Sequence, residues 1–133
     1  MKPFAELRVV EIAGAEAGAY SAKLFADFGA TVLKIEPPSG DPRRGDGEPW
    51  QAAGATDGVS VGSTWAYLNT SKQSHVIDLD TSAGETELAD LLERSDVVIE
   101  SAAPDPLLPR SASIDAPQLI KTWISAFGGD GPY

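Results

Sequence analysis

The chain has 133 residues, of which 42% are hydrophobic and 23% charged; these are the proportions of an ordinary globular protein, and the length suits one domain with its own core. Twenty acidic against ten basic residues give a formal charge of −10, and the bases, from Lys2 to Lys121, are dispersed, which argues against nucleic acid or an anionic membrane as partner. No apolar run approaches the roughly 20 residues that cross a bilayer. The start Met1-Lys2-Pro3-Phe4 has neither part of a signal peptide, so a cytoplasmic location is expected. The absence of cysteine excludes disulfides and thiolate metal sites, and His75 as sole imidazole argues against zinc.

Leu7-Arg8-Val9-Val10-Glu11-Ile12 reads as a first, mostly apolar strand of the kind buried in parallel sheets. A turn of small residues follows, from Ala13 and Gly14 to Ala17 and Gly18. A helix is then expected to place Tyr20, Leu24, Phe25 and Phe28 on one inward face, with Gly29 as its stop. Thr31-Val32-Leu33-Lys34-Ile35-Glu36 reads as the second strand. This βαβ pattern predicts a right-handed crossover in a parallel sheet.

Between residues 37 and 64 regular structure is expected to lapse, because four prolines alternate there with glycines. Loops of that length are functional or serve as linkers. Around Ser74-His75-Val76-Ile77-Asp78-Leu79 a third strand would set His75, Ile77 and Leu79 on one face. Ser82-Ala83-Gly84-Glu85 fits a capping box opening a helix that carries Leu88, Leu91 and Leu92 inward, with Arg94 in its last turn. Asp96-Val97-Val98-Ile99-Glu100 reads as a fourth strand. Asp115-Ala116-Pro117-Gln118 suggests a short helix, and Thr122-Trp123-Ile124-Ser125-Ala126-Phe127 a fifth strand. The fold class is α/β: a Rossmann-like, open, mainly parallel sheet with flanking helices.

The candidate chemistry is sparse. The Gly14 to Gly18 turn lies between strand and helix, where backbone N–H groups favour anions. Its glycines are four residues apart, it lacks the G-x-G-x-x-G spacing of dinucleotide sites, and Glu16 places a negative charge there. A plain tight connection of small residues explains it better than a dinucleotide site. Without that fingerprint, Glu36 at the end of the second strand does not read as a ribose-binding acid; Lys34 and Glu36 are placed to pair with one another. Arg43 and Arg44 are either diphosphate ligands or a solvated pair. His75 has no acid or serine placed by sequence to orient it and reads as a half-exposed strand residue. Trp50, Trp65, Tyr67 and Trp123 serve either base stacking or packing.

Taken together, the segments resemble the N-terminal part of the family III CoA-transferases, the CaiB/BaiF group that includes carnitine CoA-transferases, formyl-CoA transferase and α-methylacyl-CoA racemase. Leu7 to Ile12 with Ala17-Gly18 are similar to the family's opening strand and Ala-Gly-Pro turn. Leu24-Phe25-Ala26-Asp27-Phe28-Gly29-Ala30-Thr31-Val32-Leu33-Lys34-Ile35-Glu36 resembles its "L-A-D-L-G-A-x-V-I-K-I-E". Gly40-Asp41-Pro42-Arg43-Arg44, Asn69-Thr70-Ser71-Lys72-Gln73-Ser74 with Ile77-Asp78-Leu79, and Ser95-Asp96-Val97-Val98-Ile99-Glu100 follow further family motifs. The closing Phe127-Gly128 and Gly131-Pro132-Tyr133 resemble "G-F-G-x-x-G-P-Y".

The resemblance implies the N-terminal part, residues 1–133, of the Rossmann-like large domain of a longer, cytoplasmic enzyme acting on acyl-CoA. It implies coenzyme A as substrate with no further cofactor. It also implies an interlocked homodimer or a fused second copy. CoA transfer through an aspartyl-CoA thioester, or racemase-type proton transfer, would use residues beyond Tyr133, so no catalytic residue is expected here. The implied ligand contacts are Ala17, Lys72, Ile77, Asp78 and Leu79; a surface position is the plainer expectation for Lys72. Four positions depart from the family pattern: Glu16, Pro37 after the second strand, Asp80, and Ser101 in place of the usual Asn. Each loses a base or a polar group or adds an acid at an anion site. They leave open a second reading, a diverged, non-catalytic half used for dimerisation or support.

Overall fold

The computed structural model describes residues 2–54, 56, 58, 60–101 and 110–128. Five parallel strands form one sheet: β1 (Arg8–Ala13), β2 (Thr31–Glu36), β5 (Gln73–Val76), β6 (Val97–Ser101) and β7 (Ile120–Ile124). Their order is β5-β2-β1-β6-β7, so the chain runs outward to one edge and returns past β1 to the other. This is the order of half a doubly wound sheet, and it puts the reversal beside β1, between β1 and β6. The Gly131-Pro132-Tyr133 motif lies outside the described residues.

The helices divide the sheet into two faces. α3 (Ser82–Leu92) buries Leu88 and Leu92 against Val10, Ile35, Ile77 and Val98. α1 (Glu16–Asp27) buries Ala22 and Ala26 against Val9, Val32, Val97 and Ile99 on the other side. The alternation of side chains along a strand produces this sorting: Val9 and Val10 are each 1% exposed, yet belong to different cores. Register carries it across the sheet, with Val9 beside both Val32 and Val97.

α1 corrects the expected face. Its buried positions are Gly18, Ala19, Ala22, Lys23 and Ala26, whereas Tyr20, Leu24 and Phe28 are exposed. Small side chains let the helix axis approach the strands, and the larger residues are left on the outer stripe. Only Phe25 of the expected set packs on the core, and Phe4 stacks against it at 5.5 Å. The stop at Gly29 is as expected: its φ of +103° is left-handed, and its N–H donates to the Ala26 carbonyl.

Other boundaries shift for local reasons. The cap of α3 is Thr81, not Ser82: Thr81 Oγ1 accepts from the Gly84 N–H at 3.1 Å. The segment at residues 115–118 is a turn, and the short helical piece lies earlier, a 3-10 turn at Arg110–Ser113. β7 begins at Ile120, two residues before the expected start. β5 ends at Val76; of the expected face, Ile77 is 2% exposed and Leu79 packs on the same core, whereas the His75 side chain is 43% exposed. The long segment after β2 is also more ordered than its Pro/Gly content suggests. It holds a 3-10 turn (Pro42–Gly45), an antiparallel pair of β3 (Pro49–Trp50) with β4 (Val61–Gly62), and α2 (Ser63–Leu68).

Candidate ligand site at the carboxyl edge

In a parallel sheet every carboxyl end faces the same edge, and the loops that leave there form the ligand surface. Four segments meet at this edge: the turn from β1 into α1, the loop after β2, the turn after β5, and Ser101 at the end of β6. Beneath them lies an ionic core built by the face that carries Glu11, Lys34 and Glu36.

Glu11, inside β1, is 0% exposed, and Lys34 beside it in β2 is 3% exposed. Lys34 Nζ donates to Glu11 Oε1 at 3.0 Å and also pairs with Asp41 Oδ2 at 2.9 Å. Lys72 closes the other side of Glu11, its Nζ 2.6 Å from Oε2. The same ammonium donates to the Ala19 carbonyl of α1 at 2.8 Å. Burial lowers the Lys34 pKa, but Glu11 and Asp41 outweigh it, so the net direction is upward. Lys72 goes the other way: burial dominates the pull of Glu11, with Lys34 and Lys23 nearby, and holds its pKa below the usual lysine value.

A second group fastens the loop. Glu36 is 1% exposed and accepts from Arg44 Nε and Nη2, from the Ser74 hydroxyl and from the Asp41 N–H. Burial raises its pKa, but those donors together bring it below the usual carboxylate range. Lys34 and Glu36 therefore do not pair with one another: Lys34 joins Glu11 to the Asp41 carboxylate, whereas Glu36 takes the Asp41 N–H, Arg44 and Ser74. Arg44 lies 4.4 Å over the Trp65 ring, and Trp65 donates its indole N–H to Asp41 Oδ2 at 3.0 Å. Asp41 also accepts from the Arg43 N–H, opening the 3-10 turn. Burial works against its ionisation, yet the Arg43 N–H, Lys34 and Trp65 lower its pKa overall.

The Gly14 to Gly18 turn is a tight connection with a specific fastening. The Gly14 N–H donates to the Ser101 carbonyl at 3.0 Å and the Ala15 N–H to Ser101 Oγ at 3.2 Å. A Cβ at position 18 would overlap Ser101 Oγ and Cβ, so glycine is required where α1 crosses β6. No side chain caps α1: Ala15 is its N-cap residue, and Glu16 turns away to Arg43 Nη2 at 2.7 Å. A small cleft of about 10 Å³, roughly one water's space, lies beside it, lined by residues including Ala15, Lys34, Arg43, Asp46 and Trp65.

Of the residues implied as ligand contacts, Ala17 is exposed in the first turn of α1. Asp78 is exposed and Leu79 half-buried in the turn after β5, and Ile77 sits in the core. The strand order brings these two groups to one edge, two strand spacings or roughly 10 Å apart. Lys72 is not at the surface; its side chain is 2% exposed, beneath α1. Arg43 and Arg44 are neither free nor merely solvated, since both hold carboxylates. His75 does have an acid, Glu87 of α3, at 2.8 Å from Nε2, but the pair is exposed and lies on the α3 face, opposite the ionic core. Trp65 packs, whereas Trp50 and Tyr67 are exposed. Sequence reasoning missed the roles of Glu11, Asp41 and Trp65. Two signals were present: a charge inside an apolar strand needs a buried partner, and Asp41-Pro42 is a turn opener.

The strand order, with the uncapped α1 start at the reversal beside β1, defines a Rossmann-like α/β fold. Comparison with known proteins narrows this class. Residues 4–133 match the family model for CoA-transferase family III. A subunit of the succinyl-CoA:(R)-benzylsuccinate CoA-transferase of Thauera aromatica is 35% identical over 97% of this chain and 32% of its own length. The succinate–glutarate CoA-transferase of Agrobacterium fabrum is 34% identical over 98% of this chain and 34% of its own. A CaiB/BaiF family protein from Brucella suis superposes with a TM-score of 0.84 at 31% identity, over 99% of this chain and 35% of that one. The chain belongs to CoA-transferase family III. It spans about a third of the length of these relatives. Among the described residues no helix is long and apolar enough to cross a membrane.

Proposed function

We propose that the chain forms the N-terminal, CoA-binding portion of a cytoplasmic enzyme that moves CoA between carboxylic acids. The observation that carries this reading is the carboxyl edge itself: an uncapped α1 start and the turn after β5 share one edge, in a chain matching the family over nearly its whole length. In this reading the backbone of Ala17 and of Ile77, Asp78 and Leu79 meets the nucleotide end of CoA. Lys72 acts from below, holding α1 through the Ala19 carbonyl. CoA is substrate, with no further cofactor, and the acyl group is carried on an aspartyl-CoA thioester whose Asp lies beyond residue 133. Racemase-type proton transfer is the variant in which that later part differs.

A supporting, non-catalytic half is the second reading, and the Glu16–Arg43 pair favours it by neutralising a cation beside the α1 start. Relatives named as alpha and beta subunits of succinyl-CoA–L-malate CoA-transferase are in keeping with a chain that works beside a second one, as an interlocked dimer or a fused copy would. Calorimetric titration of the full-length protein with CoA at fixed salt separates the readings. Saturable binding is expected; its absence would sink the CoA-binding reading and leave the supporting role.

A further inference from the structure

Arg43 is held on one side and exchangeable on the other. Its Nε donates to Asp46 Oδ2 at 2.6 Å, within its own loop, so the loop fixes the guanidinium plane. Its Nη2 crosses to Glu16 Oε1 at 2.7 Å, bridging the 3-10 turn and α1. The Glu16 side chain is 63% exposed, and an ion pair in such solvent contributes little of its own. A guanidinium already oriented by Asp46 loses little freedom on taking a second anion, and phosphate offers it more charge and more acceptors than a carboxylate does. The cleft beside Arg43, lined also by Ala15, Lys34 and Asp46, has space for about one water. A phosphate therefore has to displace Glu16; it cannot slip in behind.

We propose that Glu16 and Arg43 form a latch in which Glu16 occupies, as an internal carboxylate, the guanidinium edge that a ligand's phosphate takes. Glu16 is then a specificity-determining residue: it sets how much negative charge a ligand must carry to enter this edge. That the ligand is CoA rests on the preceding reading, whereas the latch itself concerns any diphosphate.

The test is calorimetric titration of the full-length protein with inorganic pyrophosphate and, separately, with CoA. Wild type is compared with Glu16→Gln, Arg43→Gln and the double variant, each checked for native circular dichroism. Glu16→Gln is expected to bind pyrophosphate about tenfold tighter, the size of effect expected from removing one like charge at a half-exposed site. Arg43→Gln loses that gain, and the double variant behaves like Arg43→Gln alone. Pyrophosphate affinity unchanged in Glu16→Gln, or a gain that persists without Arg43, overturns the latch. Equal binding of pyrophosphate, and equal binding of CoA, by wild type and Glu16→Gln overturns it while leaving the CoA reading intact. A pyrophosphate gain with no CoA binding by any variant upholds the latch and removes the CoA reading.

Discussion

The two faces of the sheet solve the same burial problem with different chemistry. Under α3 the sheet is covered by an apolar cluster of Val10, Ile35, Ile77, Leu88, Leu92 and Val98, with the buried acid Glu100 set at its carboxyl end, where it accepts from the Ser111 N–H. Under α1 and α2 the amino-terminal half is also apolar, but the carboxyl half holds Glu11, Lys34, Glu36, Asp41 and Lys72. Apolar contacts are non-directional and tolerate sliding, whereas ion pairs with hydrogen-bond geometry specify position. The ionic half thus does what an apolar core does poorly. It fixes where α1, the loop after β2 and the α2–β5 turn sit relative to one another, at the edge where a ligand would lie. Its cost is the desolvation of each charge, offset only while every partner is in place.

That difference predicts how each face breaks. Lys34→Met takes the shared cation from Glu11 and Asp41, leaving Asp41 without its buried partner and Glu11 with Lys72 alone. Loss of about 4 kcal/mol in chemical unfolding is expected, in the range for removing one member of a buried pair. A loss below about 1 kcal/mol would mean the cluster is hydrated in solution. Leu92→Ala on the opposite face, at 0% exposure, is expected to cost about 3 kcal/mol through lost transfer energy and the cavity left. The two variants differ in a second readout. Lys34→Met should also quench or shift Trp65, which shares Asp41 with Lys34, whereas Leu92→Ala should leave Trp65 fluorescence native. Equal changes at Trp65 in both would erase the distinction between the faces.

The same contrast explains what could be read from the sequence. The apolar face was legible: Val10, Ile77, Leu88 and Leu92 announce themselves by spacing, and the parallel sheet followed from the βαβ pattern. The family motifs were legible too. α1 was misread because spacing shows that a helix is amphipathic without saying whether its large or its small residues touch the sheet. Tyr20, Leu24 and Phe28 carry the stronger hydrophobic signal, yet close packing required Ala19, Ala22 and Ala26. The ionic core was not legible because its pairs join residues distant in sequence, Lys34 with Glu11 and Lys72 with Glu11, as does the exposed pair of Arg43 with Glu16. Charge type is visible at each position, but partnership depends on how the loop after β2 folds back over β1. Sequence proximity favoured Lys34 with Glu36, and the geometry separated them.

Acid offers the gentlest way to part the faces. Glu36 and Asp41 both have pKa values lowered in the folded protein, by donors that outweigh their burial. A carboxylate depressed on folding contributes stability that is present above its unfolded pKa, about 4, and lost as pH falls through the folded value. Protonation of Asp41 releases the Trp65 indole and Lys34; protonation of Glu36 releases Arg44 and the Ser74 hydroxyl. The loop after β2 should therefore loosen below about pH 4 while the α3 face still holds, since its cluster of Val10, Ile35, Ile77, Leu88, Leu92 and Val98 has no titratable side chain. Hydrogen exchange followed by NMR reads both at once. The Trp65 indole N–H should lose protection at a higher pH than the backbone amides of Val98 and Ile35. Simultaneous loss would show that the ionic and apolar halves unfold as one unit, and that the charges hold the whole sheet together, not only the loop above it.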